Sequence, residues 1–496
     1  MFYKNLLSTK KTKNKEFVFD CFSLNPRVDE ENDTIPEGEA KLIYNFISEN
    51  KSLKTGYGLK DLQMPISTSD VYYEEPISLR GNDVKTMWKM KWYDKGTNQD
   101  KYYLFYFNNE NMICYDNLFT KRNITLIIPN EFKTTPYVCF YRNNGVDSLL
   151  LSSQDVGLMI ITGDKAETNK TAPQIISCCS HYGKLFAITA EARGRLVYIE
   201  NTNIMSWDDS KTKKLDFSDE RGDLNKIISF EDNLYLFRDY GITRISEYGS
   251  GEEFAINHMY LSNHYIYPNS IVQYQDKIFF FDNDGIKIFD GNSVKNIDIK
   301  YLKLSKNCDN RNCYGICFEN KYFLACRLNF SDNQKLGCEN SVNGYLNNAV
   351  IVYNISSGHI DIMRGVDIRQ MLVLSNPYKT KLIASFNNDY KNKIGEFTLD
   401  GCIFENKNQN LFYTGYLDFS LPGVKKKIKY LLIRSKFNCK IEIKNEKINK
   451  IINLRGKESL QKLRVNLTGT QFEIKITNSE AKSNISSLIL GVEIPV

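Results

Sequence analysis

Seven times along the chain a turn-type residue and a second polar residue lead into an apolar, aromatic-rich run: DKYYLFYF, DSLLLS, GKLFAI, DNLYLF, DKIFFF, NKYFLA and TKLIAS. With the third residue of each as anchor, the repeats fall at Tyr102, Leu149, Leu185, Leu234, Ile278, Tyr322 and Leu382, with successive gaps of 47, 36, 49, 44, 44 and 60 residues. Most of these gaps match the roughly 40–50 residues that one four-stranded propeller blade consumes. A second short strand follows each anchor after a turn: MICY from Met112, GLMII from Gly157, RLVYI from Arg195, GITRI from Gly241, GIKIF from Gly285, AVIVY from Ala349 and IGEF from Ile394. In FDNDGIKIFDG the Asp284-Gly285 pair is a tight-hairpin signal, because glycine takes positive φ without a Cβ clash. Alternation over Ile286, Lys287 and Ile288 predicts apolar side chains on one face and the lysine on the other.

A lone blade would leave two apolar faces in water. Packing neighbours around a closed ring buries both and leaves only short, protected edges. The repeat therefore predicts an all-β chain built on about seven blades, with six or eight as variants and a many-stranded sandwich as the rival. The longest gap contains NFSDNQKLGCENSVNGYLN, residues 329–347, a polar insertion expected on a loop. Residues 1–60 read as an N-terminal arm ending in the glycine turn of Gly56 and Gly58, and 61–410 as the propeller. From about Leu411 the repeat stops and shorter runs follow: FYTGYLDF, KIKYLLIRS, KIEIKNEKI, LRVNL, FEIKI and SSLILGVEI. Their spacing predicts a C-terminal β-sandwich over 411–496.

Composition agrees. Of the 496 residues 42% are hydrophobic and 13% aromatic, with 31 Tyr and 29 Phe, a bias toward pleated, half-buried surfaces. The net charge of +6 permits a basic patch but is small for a dedicated nucleic-acid coat. One cluster stands out, Lys425, Lys426, Lys427 and Lys429 with Arg434 beyond. It reads either as the exposed face of a strand or as a DNA-facing patch. No run of about 18 apolar residues is present, so no membrane span is expected. The start, MFYKNLLSTKKTKNKEF, is basic and lacks the apolar core of a secretory signal, so the 12 cysteines are expected to be reduced thiols folded in a cytoplasm.

Three segments carry a resemblance to a known family. NTNIMSWDDSKTKKLDFSDERGDLNKIISFEDNLYLFRDYGITRIS, from Asn201, contributes Trp207, Leu215 to Phe217, Ile228, Phe230 and the strand Leu234 to Phe237 followed by Gly241. EGEAKLIYNFISENKSLKTGYG contributes Ala40, Asn45 and the turn at Gly56, although Lys54 to Gly58 stands in place of a basic-then-proline-glycine form. The third is YTGYLDFSLPGVKKKIKYLLI, from Tyr413. In order and spacing these resemble the tail-accessory propellers of tailed phages, the packaged-DNA stabilisation proteins and tail nozzles. Together they cover about a quarter of the chain. The resemblance implies a structural virion protein of the tail, assembled in the host cytoplasm. It would form a homo-oligomeric ring with other tail or portal proteins, in a head-tail connector conduit that retains and releases DNA. In such a ring Lys425, Lys426, Lys427 and Lys429 would multiply their charge by the copy number and hold phosphate non-specifically. A receptor- or carbohydrate-binding propeller is the alternative, with Tyr260, Tyr265 and Tyr267 as an aromatic platform.

Catalytic and metal chemistry find little to stand on. The four histidines, His181, His258, His264 and His359, match no zinc-helix spacing, and no GxSxG, Walker or dinucleotide glycine pattern occurs. Cys308, Cys313, Cys317, Cys326 and Cys338 form the best metal candidate, but their spacing is not that of a paired knuckle. Asp282 to Gly285 lacks the later Glu of a calcium loop. Arg221-Gly222-Asp223 is an adhesion-like tripeptide, and Glu252-Glu253 is a carboxylate pair of unknown separation. No enzyme, cofactor or metal is expected.

Overall fold

The computed structural model describes residues 12–20, 22–24, 39–68, 71–77, 84–107, 112–115, 132–143, 146–163, 165–200, 204–208, 210–248, 253–297, 302–305, 307–330, 345–375, 379–388, 390–404, 406–478 and 482–495. The chain is all-β. Helix among the described residues is limited to Leu302–Ser305 and a 3₁₀ turn at Pro268–Ser270. Two compact units result, one of residues 61–350 and 366–397, the other of 1–60, 351–365 and 398–496. The expected division was linear, with an arm, a propeller and a C-terminal domain. In the structure the arm and the C-terminal region share one unit, and the physical reason is strand pairing. Thr12–Phe19 runs antiparallel to Asn484–Pro495, from Thr12 opposite Pro495 to Phe19 opposite Leu488.

The larger unit is a succession of small antiparallel sheets. The first holds Thr86–Asp94, Gln99–Phe107 and Met112–Tyr115. Four sheets of four strands follow, beginning at Tyr137–Asn143, Ile175–His181, Leu224–Phe230 and Val272–Tyr274. A sixth begins with the hairpin Tyr314–Phe318 and Lys321–Cys326. The seventh joins Asp367–Ser375, Thr380–Asn388 and Tyr390–Thr398 to the early strand Gly58–Thr68. Every one of the seven anchor residues lies on the second strand of its sheet. These second strands are buried on both faces, as in Leu149–Leu151, Leu185–Ile188 and Leu234–Phe237. This is why they read as unbroken apolar runs rather than as alternation.

Each sheet packs on the next. Trp88 and Phe105 of the first meet Leu149 and Met159 of the second. Leu150 and Ile160 meet Leu185 and Val197 of the third. Phe186 and Tyr198 meet Leu234 and Leu236 of the fourth. Phe237 meets Phe280 of the fifth. Phe279 stacks on Tyr322 of the sixth at 5.3 Å, and Phe323 meets Phe397 edge-on at 5.7 Å. One further cluster joins Leu374, Ile383 and Ile394 of the seventh sheet to Met87, Leu104 and Tyr106 of the first. Each fully buried Leu, Ile or Phe contributes about 1.5–3 kcal/mol of transfer free energy, so these seams dominate the stability of the unit.

Lys287 is 3% exposed, and its Nζ lies 3.3 Å from the buried Asp282 carboxylate and donates to Asn296 Oδ1 at 2.9 Å. Ser262 Oγ and the Asp284 N–H also donate to Asp282. Burial is the largest influence on Asp282 and pushes its pKa up, against the lysine beside it. Alternation places Lys287 on the face opposite Ile286, and that face is buried too, against Asp282 and Asn296.

The second unit holds two larger sheets. One has the order Lys457–Gly469, Lys426–Ser435, Asn484–Pro495, Ser52–Thr55, Phe46–Glu49, with Thr12–Phe19 also on Asn484–Pro495; the other has the order Leu42–Tyr44, Asn410–Leu417, Phe472–Asn478, Cys439–Lys444, Asn449–Leu454. Aromatic side chains bridge them: Phe17 lies 4.6 Å from Phe419, which lies 5.9 Å from Phe472. Asn45 is buried at φ +58° and organises the arm. Its Nδ2 donates to Gln409 O at 2.6 Å, its Oδ1 accepts from the Arg364 N–H at 2.7 Å, and its own N–H donates to Ile362 O at 2.8 Å. Gly56 sits against it so closely that a Cβ there would lie 2.2 Å from Asn45 O. The fully buried Arg364 covers the Tyr44 ring at 4.6 Å.

Candidate binding cavity

The first strands of the seven sheets come together at their beginnings. Gln370, near the start of the seventh sheet, clamps Met87 of the first: its Oε1 accepts from Met87 N–H at 2.8 Å and its Nε2 donates to Met87 O at 2.7 Å. Ile227 N–H donates to Ser177 Oγ at 3.1 Å, and Lys226 Nζ donates to Ile271 O at 2.6 Å. Around these starts lies a cavity of about 1310 Å³ to which all seven sheets contribute.

Its charged lining is of one sign. Lys85, Arg193, Lys226, Arg311 and Arg369 face it, and among the described residues no aspartate or glutamate does. Three of them have carboxylate partners outside the lining. Arg369 Nη2 lies 2.6 Å from the buried Asp367, Arg311 Nη2 2.6 Å from Asp309, and Arg193 Nη2 3.9 Å from Asp239 while also donating to Asn225. These pairs orient the guanidinium groups while leaving N–H donors over, since each fork carries five. Lys226 is half-buried and hydrogen-bonds the Ile271 and Pro268 carbonyls, and burial pushes its pKa down to about 8. Tyr137 and Phe140, 46% and 53% exposed, line the same space. A second chamber of about 490 Å³ adjoins it, sharing Val138, Phe140, Tyr314 and Gln370 and adding Met87, Trp88, Leu372 and Leu374 together with the charged side chains of Lys89, Lys91 and Asp147.

The residues singled out from the sequence are placed as follows. Lys426 points inward, 1% exposed, with its Nζ on Leu421 O at 2.5 Å. Lys429 is paired with Glu493 at 2.7 Å and bonds Asn14 Oδ1. Lys425 is exposed and Lys427 half-buried. The stretch is thus split between two faces of its strand rather than forming one patch. Tyr267 is buried with its hydroxyl on Asn283, and Tyr265 lines the cavity. Within the adhesion-like tripeptide, Gly222 O accepts from the fully buried Arg238 at 2.6 and 2.9 Å, and Arg221 pairs with Asp219 and Glu220.

The histidines lie apart. His181 bonds Ser229, His258 bonds Thr243, His264 pairs with Asp284 and His359 with Asp361. Burial pushes the Cys313, Cys317 and Cys326 thiols well up. Among the described residues no three His, Cys, Asp or Glu side chains gather at metal-binding distance. Cys338, Glu252 and most of the insertion at 329–347 lie outside the described residues. No helix among the described residues is long and apolar enough to cross a membrane.

No protein-family model matches the chain, and no curated protein matches it. Among solved structures the chain is similar to the extracellular domain of the putative hybrid two component system BT4673 from B. thetaiotaomicron, at 13% identity and TM-score 0.39. It covers 67% of this chain and 39% of that one, so the chain spans about two fifths of that structure's length. It is also similar to the N-terminal domain of Nup159, at 9% identity and TM-score 0.35, covering 69% of this chain and 95% of that one. A third is BBS1N in complex with ARL6DN, at 9% identity and TM-score 0.40, covering 68% and 98%. Likenesses at these levels assign no function.

Proposed function

We propose that the larger unit is a seven-bladed β-propeller, that the two sheets of the other unit form a β-sandwich, and that the chain is a structural protein of a tailed-phage virion, forming part of the tail or head-tail connector. The observation that carries the fold is the packing of the seventh sheet on the first through Leu374, Ile383, Ile394, Met87 and Leu104, which gives every sheet two neighbours. Gly58–Thr68 beside Tyr390–Thr398 adds a strand from early in the chain to the last sheet, a device suited to locking a ring.

The virion reading is supported by the three resembling segments. Two of them supply structural fastenings: Asn45 and Gly56 in the arm, and Leu215, Phe217, Leu234 and Leu236 in the seam between the third and fourth sheets. The reading gives the chain no reaction to catalyse and has it act as a homo-oligomeric ring. Of the four lysines, Lys425 and Lys427 keep side chains available to phosphate. Electron microscopy of the purified chain, or of particles carrying it, should show rings of symmetric copies at the tail. Particles with Lys425→Glu and Lys427→Glu should lose packaged DNA faster than wild type. Monomers only, with genome retention unchanged on charge reversal, would defeat the reading.

A receptor- or ligand-binding propeller is the second reading, favoured by the cationic cavity with Tyr265 and Tyr137 in its lining. Glycan-array binding by monomers would select it.

A further inference from the structure

We propose that the cavity at the starts of the seven first strands is a binding site for a small amphiphilic oxyanion, a phosphate, sulfate or carboxylate group carried on an apolar body. The site is independent of the virion reading: it stands on lining side chains of one unit, and either can fail without the other.

The charge asymmetry comes first. Five cations face one space and, among the described residues, no carboxylate does, so the cavity repels cations and attracts anions. The five come from positions far apart in sequence but alike in the fold. Lys85 directly precedes the first strand of its sheet, Lys226 and Arg369 are third residues of theirs, and Arg311 lies just ahead of Tyr314–Phe318. Arg193 lies between the second and third strands of its sheet, and an antiparallel meander returns that loop to the end where the first strand began. All five therefore sit at one mouth. The cross-sheet bonds from Lys226 to Ile271, from Ile227 to Ser177 and from Met87 to Gln370 tie those strand starts together.

The donors are anchored as well as numerous. Asp367 and Asp309 each lie 2.6 Å from an arginine and Asp239 lies 3.9 Å from Arg193, all three outside the lining. These partners position the guanidinium groups while each fork keeps N–H donors over, which bidentate recognition of a carboxylate or phosphate needs. Lys226 spends donors on two carbonyls and keeps one for a ligand.

The apolar body follows from the adjoining chamber. Phe140 and Val138 belong to both spaces, and beyond them lie Met87, Trp88, Leu372 and Leu374, with Lys89, Lys91 and Asp147 also on the wall. The Trp88 indole Nε1 is buried there without an acceptor. A ligand with its anionic group at the arginines and its apolar part beside Phe140 would occupy both. The larger space is already above the roughly 300–1,000 Å³ of small-molecule sites, so such a ligand fits with water around it.

The test uses the full chain and the probe 8-anilino-1-naphthalenesulfonate, which joins a sulfonate to an aromatic body, with its uncharged analogue N-phenyl-1-naphthylamine as control. Fluorescence titration should give saturable sulfonate-probe binding that weakens steeply between 50 and 500 mM salt, while the uncharged analogue is insensitive. Lys226→Met should weaken the sulfonate probe about tenfold or more, the value of a charge-assisted bond in a half-buried site. Arg311→Gln should weaken it about threefold, as for an exposed charge. Arg311 is 78% exposed and its partner Asp309 52%, so that variant folds even if Lys226→Met does not. Displacement by adenosine monophosphate assigns an aromatic body and displacement by laurate an aliphatic one, and either supports the proposal. Salt-insensitive binding, equal binding by both variants, or probe that neither compound displaces would overturn it.

Discussion

Leu104→Ala tests ring closure directly. Leu104 is fully buried in the cluster that joins the first sheet to the seventh, beside Ile383 and Ile394. The substitution removes three carbons, worth about 0.8 kcal/mol each in transfer free energy, and leaves a cavity that well-packed strands fill incompletely. The expected loss is about 3 kcal/mol. Leu236→Ala, equally buried between the third and fourth sheets, is the internal standard and should cost the same. All three tryptophans, Trp88, Trp92 and Trp207, belong to the larger unit, so indole fluorescence during urea unfolding reports that unit alone. In a closed ring no seam is terminal, and both variants lower the same transition by similar amounts. A Leu104→Ala cost below about 1 kcal/mol beside a full cost for Leu236→Ala would mean that the first and last sheets are free ends, and ring closure would be refuted.

Three further outcomes follow from single side chains. Lys287→Met leaves the Asp282 carboxylate buried and uncompensated, an expected loss of about 3–5 kcal/mol in urea unfolding, and adding Asp282→Asn should recover most of it. Gly56→Ala drives a Cβ to 2.2 Å from Asn45 O, where backbone must move; a cost of about 3 kcal/mol should lower the melting temperature of the smaller unit by about 6–12 °C in calorimetry. The Lys226 pKa of about 8 lies below the ordinary 10.5, so between these values the unfolded chain binds more protons than the folded one. Stability of the larger unit should therefore rise with pH across that window, and Lys226→Met should abolish the rise.

The second strands were legible in the sequence because each is packed on both faces and reads as an unbroken apolar run. The first strands were not, since they border the cavity and mix types, as in LNKIISF of the fourth sheet, or are as short as VQY of the fifth. Pairing of Thr12–Phe19 with Asn484–Pro495 left no trace either, because strand registry between distant segments has no local signature. Lys426 misled for a different reason: in KKKIK it reads as one of a charged run, yet strand alternation turns it inward onto Leu421 O. Four of the cavity cations, Lys85, Lys226, Arg311 and Arg369, lie upstream of their anchors at the starts of the first strands, where aligning the repeats would show them; Arg193 lies downstream of its anchor.

That alignment explains why the cavity carries no motif. A nucleotide loop or a metal knuckle keeps its ligands within one turn of chain, so spacing betrays it. Here five of the seven sheets supply one cation each to a common mouth, and residues from Lys85 to Arg369 meet only because successive antiparallel meanders start at the same end. The carboxylates that balance them are held just outside the lining, by Asp239, Asp309 and Asp367. The net charge of +6 over 496 residues therefore says little about the field inside. Local sign is set by which member of each ion pair faces the space, and in this cavity it is the cation every time.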